Sequence, residues 1–121
     1  MVKIYGIKNC NTVAKALKWL DDFKLQYEFH DFKKLGISEE TLNNWSATVG
    51  WEGLLNTRGT TWKQLDQTVK DSITTKEKAF ALMREKTPVI KRPMIEYNHG
   101  LLQGFDEEAY QKLLLDAGDN T

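Results

Sequence analysis

Apolar residues change their spacing several times along this chain, and each change marks an element. Val2-Lys3-Ile4-Tyr5 reads as a short β-strand, and Gly6-Ile7-Lys8-Asn9 as a turn. From Val13 onward, Ala16, Leu17, Leu20 and Phe23 recur at helical intervals, so a helix begins just after Cys10. Tyr27-Glu28-Phe29-His30-Asp31-Phe32 then alternates apolar and polar side chains, as a half-buried strand does. Strand, helix and strand in so short a span predict a right-handed βαβ unit with parallel pairing.

The middle of the chain keeps a helical period. Ser38 is placed to cap a helix with Glu39 and Glu40 in its first turn, Leu42, Trp45 and Val49 on one face, and Gly50 at its end. Trp62, Leu65 and Val69 follow the turn signal at Gly59 and predict a second helix. Thr74 and Glu77 have capping-box spacing for a third, with Phe80 and Met83 on its apolar side, and Pro88 stops it near Thr87.

The last third returns to strands. Met94-Ile95-Glu96-Tyr97, a turn at Asn98-His99-Gly100 and Leu101-Leu102-Gln103 predict a hairpin. Asp106 is placed to cap a final helix that turns Tyr110, Leu113 and Leu114 inward, and Gly118–Thr121 is expected to fray. The order predicts an α/β fold with a four-stranded mixed sheet. A βαβ half and a ββα half flank a helical insertion over about residues 36–87, in a single domain spanning 1–121.

Composition narrows the function classes. Seventeen basic and seventeen acidic residues cancel and are interspersed, which leaves no electrostatic footprint for nucleic acid or an anionic membrane. No apolar run approaches the ~18 residues of a membrane span, and the start lacks the pattern of a secretory signal. The expected location is the cytoplasm, where thiols stay reduced.

Candidate chemistry centres on Cys10, the only cysteine. A thiol at the head of a helix faces unsatisfied backbone N–H groups and the positive end of the helix dipole, and both favour the thiolate. A lone cysteine can equally be a small buried hydrophobe, and position alone does not choose between the two. Val13 stands where a Cys-x-x-Cys motif would need its second sulfur. His30 and His99 lie far apart with no cysteine or acidic cluster at ligand spacing, so no metal site is expected. Arginine is scarce: Arg58, Arg84 and Arg92 are the three in the chain. Arg84 lies in a helical charge run and reads as a solvated residue. Arg58, in a polar turn, and Arg92, before Pro93, are the candidates for binding an oxyanion or carboxylate through a planar guanidinium fork.

Three segments, Tyr5-Gly6-Ile7-Lys8-Asn9-Cys10-Asn11-Thr12, Leu55-Asn56-Thr57-Arg58-Gly59 and Ile90-Lys91-Arg92-Pro93, together resemble the ArsC/Spx family, the monothiol arsenate-reductase branch of the thioredoxin-like fold. Within it, the run Gly50–Trp62 is most similar to the YffB-like branch. The resemblance implies a thioredoxin-like fold and Cys10 as nucleophile. Arg58 and Arg92 would serve it as catalytic and glutathione-binding groups, Pro93 would be cis, and Asn9, Asn11 and Thr12 would supply donors around the sulfur. It further implies a glutathione-dependent thiol reductase with no bound cofactor and with glutathione as co-substrate.

Two alternatives come with the same resemblance. One is an arsenate reductase linked to glutathione and glutaredoxin; the other is a non-catalytic Spx-like regulator that binds RNA polymerase. This chain departs from arsenate reductases at Ala14 and along Leu102-Gln103-Gly104-Phe105, where those enzymes carry arginines, and from Spx-type regulators in lacking the second sulfur.

Overall fold

The computed structural model describes residues 2–98 and 100–116; His99 in the predicted hairpin turn and the predicted frayed tail lie outside them. Two compact units form. Residues 1–30 and 92–121 make a sheet unit, and residues 31–91 make a helical one.

The sheet unit contains β1 (Val2–Gly6), α1 (Asn11–Asp22), β2 (Tyr27–Asp31), β3 (Met94–Tyr97), β4 (Gly100–Gln103) and a terminal helix. That helix is α-helical over Glu107–Tyr110 and π-helical over Gln111–Asp116. The four strands make a mixed sheet ordered β2-β1-β3-β4. β1 and β3 are antiparallel with Tyr5 opposite Met94, and β3 pairs antiparallel with β4. Alternation along each strand puts Val2, Ile4 and Ile95 on one sheet face, where they pack with Ala16, Leu20 and Tyr110 into a single core. Asp106 caps the terminal helix by accepting from the Glu108 and Ala109 backbone N–H groups.

One expectation for α1 is corrected. Phe23 ends the helix and is 47% exposed, while Trp19 takes the inner position, buried edge-on against Tyr110. The helix has already closed at Phe23, and Lys24 adopts a left-handed conformation that turns the chain toward β2.

The helical unit contains α2 (Phe32–Leu35), α3 (Glu39–Val49), α4 (Trp51–Leu54), α5 (Thr60–Lys63), α6 (Gln67–Ser72), α7 (Lys76–Glu85) and a 3-10 turn at Thr87–Val89. Its boundaries differ from the sequence reading in three places. Phe32 opens α2 rather than closing β2, because Asp31 accepts from the Lys33 N–H and bends the chain into a helix. Thr75 caps α7 in place of Thr74, accepting from the Lys78 N–H at 3.3 Å. The single helix expected across Trp62, Leu65 and Val69 is broken into α5 and α6, neither of which buries a side chain. An apolar period holds a helix together by packing one face, and here that face is covered only in part, with Trp62 and Leu65 half-buried and Val69 exposed. No helix among the described residues is long and apolar enough to cross a membrane.

Candidate active site

Cys10 is the N-cap residue of α1. Its backbone is extended, its carbonyl accepts the first helical bond from the Ala14 N–H at 2.9 Å, and its N–H donates to the Ile7 carbonyl at 3.2 Å. The side chain makes no capping hydrogen bond and is half-exposed. Asn9, Asn11 and Thr12 surround it and are exposed. The turn is tight because Gly6 ends β1 against α1: a Cβ on Gly6 would stand 2.7 Å from a Val13 methyl. A side chain at position 6 would push the strand and helix apart.

Arg92 and Pro93 enter β3, the strand beside β1. Their peptide bond is cis. Pro93 is buried; Arg92 is half-buried, with its Nε shielded from water. The Pro93 carbonyl accepts from the Gly104 N–H at 2.8 Å, and the Gly104 carbonyl accepts from the Tyr110 hydroxyl. Burial, with the Asp106 charge adding to it, raises the Tyr110 pKa well above the ordinary tyrosine value, so the hydroxyl remains a donor.

Arg58 belongs to the helical unit, on the exposed turn between α4 and α5. The root of that turn is fixed: Leu55 bridges Ile90, the Asn56 N–H donates to the Val89 carbonyl at 2.7 Å, and the Lys91 N–H donates to the Leu54 carbonyl at 2.8 Å. Arg84 is exposed on α7. His30 sits on β2 with its ring 4.7 Å from that of Tyr5. Among the described residues, no three His, Cys, Asp or Glu side chains group as metal ligands.

The family model for ArsC matches residues 5–113. The chain belongs to the ArsC family. An uncharacterized protein of Haemophilus influenzae is 42% identical over 111 residues, covering 92% of this chain and 96% of that protein. The solved structure of the YFFB (PA3664) protein is also 42% identical, with a TM-score of 0.86 over 93% of this chain and 97% of its own. Regulatory protein MgsR of Bacillus subtilis is 27% identical over 111 residues, 90% of this chain and 86% of its length.

Within this ArsC domain, two features escaped the sequence reading. Tyr5 donates to Glu96 Oε1 at 2.8 Å across β1 and β3, and Gly104 braces Pro93. Both depend on strand register, which brings residues 91 positions apart into contact. The available signal was a glutamate inside an otherwise apolar strand.

Proposed function

We propose that this protein is a thiol reductase that uses Cys10 as its nucleophile and glutathione as the external reductant. The observation that carries this reading is the half-exposed Cys10 sulfur at the N-cap of α1, its side chain uncommitted to capping. The thiolate attacks a disulfide, forms a Cys10 mixed disulfide and expels the other half as a thiolate. A glutathione thiolate then attacks that mixed disulfide and regenerates Cys10; when the captured half is glutathionyl, the product is glutathione disulfide. The second thiol must come from outside because the chain has no other sulfhydryl.

Arg92 and Arg58 hold the co-substrate's carboxylates. Their partnership is what the family resemblance implies, since Arg58 and Arg92 each stand in one of the segments that carry it. Asn9, Asn11 and Thr12 contribute donors around the sulfur, and Pro93 lends a backbone edge to the bound peptide.

Arsenate reduction is the weaker reading. Ala14 carries no charge, and Leu102-Gln103-Gly104-Phe105 offers no cation where the resemblance implies a further arginine. Fewer cations mean weaker capture of a doubly charged oxyanion. A regulatory reading is favoured by the likeness to MgsR, and RNA polymerase as its partner is what the Spx-like alternative implies.

Mass spectrometry after treatment with oxidised glutathione tests the reductase. The expected result is one glutathionyl adduct on Cys10, removed by reduced glutathione and absent in Cys10→Ser. Arg58→Ala and Arg92→Ala should each slow adduct formation more than Arg84→Ala. Absence of an adduct, together with polymerase capture that survives Cys10→Ser, would replace the reductase with the regulator.

A further inference from the structure

The second face of the sheet carries polar groups that the proposed chemistry leaves unused. Lys3 and Tyr5 of β1, Glu28 and His30 of β2 and Glu96 of β3 lie there, since their neighbours in each strand point into the apolar core. We infer that Tyr5 and Glu96 are a positioning pair, which locks the strand ending in the Cys10 turn to the strand that begins after Arg92 and Pro93. The inference rests on the thiol-reductase reading for its functional meaning.

The pair is built as a fixed strut. Tyr5 is 3% exposed, and its hydroxyl reaches diagonally across the sheet to Glu96 Oε1 at 2.8 Å. Lys3, the residue directly opposite Glu96, pairs instead with Glu28 at 3.3 Å. The Tyr5 ring is held between the His30 ring, 4.7 Å away, and the Lys3 ammonium, 5.2 Å from its centroid. Burial first, then the hydrogen bond to Glu96 and the charges of Glu96 and Glu28, push the Tyr5 pKa far above the tyrosine range, so the hydroxyl stays protonated and donates. A phenylalanine would fill the same space, so packing alone does not account for the hydroxyl.

Both ends of the strut lead to the site through stiff connections. Beyond Tyr5, Gly6 touches Val13 and leaves no slack between β1 and α1, so a shift of the strand moves the head of the helix where Cys10 sits. On the other side, Glu96 lies three residues past Pro93, whose carbonyl is held by Gly104. The hydrogen bond therefore fixes how the thiol turn is presented to the Arg92 segment, a geometry on which the reaction of a bound substrate with the thiol depends steeply.

The test compares alkylation of Cys10 by anionic iodoacetate and neutral iodoacetamide. A guanidinium near the sulfur favours the anion, so the ratio of the two rates reads the juxtaposition rather than folding or exposure. Tyr5→Phe and Glu96→Ala should each lower the ratio by about threefold, toward the Arg92→Ala value. Glu96→Gln, which keeps an acceptor oxygen, should retain it, as should Lys3→Ala. Tyr5→Phe combined with Arg92→Ala should lower it no further than Arg92→Ala alone. If Arg92→Ala lowers the ratio and Tyr5→Phe does not, the reductase site stands and the positioning role is wrong. If Arg92→Ala leaves the ratio unchanged, the reductase arrangement fails and the pair loses its function with it.

Discussion

The sheet unit and the helical unit are of similar size but are held in different ways. In the sheet unit, one apolar layer runs between the strands and two helices, with Ile4, Ala16, Leu20 and Ile95 fully removed from water. The helical unit buries Leu42, Trp45, Leu54, Phe80 and Met83 along α3, α4 and α7, while α5 and α6 contribute no fully buried side chain. A segment with little buried area has little to offset the entropy of ordering it. Cys10 and Arg92 are therefore carried by the tightly packed frame. Arg58 sits on an exposed turn whose order comes from backbone bonds at its root.

The sharpest way to break this contrast is to truncate one apolar side chain on each side of it. Ile95→Ala in the sheet core should cost about 2–5 kcal/mol, from lost burial plus the cavity left behind. Val69→Ala on α6, where the side chain is already 38% exposed, should change stability by less than about 0.5 kcal/mol. Urea unfolding measures both. Similar losses would mean that α6 is packed in a way its exposure does not reveal.

High pH should separate the units next, because all four tyrosines lie in the sheet unit and the helical unit has none. Tyr5 and Tyr110 have folded pKa values raised above the unfolded value. Folding thus retains a proton that the unfolded chain releases. The contribution is fully present below the ordinary tyrosine pKa of ~10 and is lost as pH rises toward the raised folded values, at up to about 1.4 kcal/mol per pH unit for each group. Urea titrations followed by circular dichroism from pH 8 to 11 should show stability falling only above pH ~10. Tyr110→Phe should make that fall shallower. A fall already under way at pH 8 would assign the loss to other groups.

The fold was readable in the sequence wherever its cause was local. The short apolar-rich strands β1 and β3, and the polar caps at Ser38 and Asp106, needed only neighbouring residues, and the structure has each of them. The failures have a common origin in what packs against what. Trp62, Leu65 and Val69 are spaced for a helix, but a period says nothing about whether a partner surface exists. Phe23 and Trp19 both fit the inner face of α1, and only the position of Tyr110 selects Trp19. At the site, Cys10 and the arginines stood out by rarity and by family resemblance. The Tyr5–Glu96 bond and the Gly104 brace required a strand register that no local pattern encodes.

The smallest effects should come from the helix caps, and they refine the contrast because a cap acts locally whichever unit contains it. Asp106 accepts from two backbone N–H groups at 3.0 and 3.2 Å, and the helix it opens carries Tyr110 into the sheet core. Thr75 accepts from one, at 3.3 Å, on the exposed edge of α7. A carboxylate at a helix N-terminus also meets the positive end of the dipole, which a hydroxyl does not exploit. Asp106→Ala should therefore cost about 1–2 kcal/mol and Thr75→Ala about 0.5 kcal/mol. Urea unfolding measures both, and equal losses for the two variants would mean that the second N–H contact at Asp106 adds nothing to its cap.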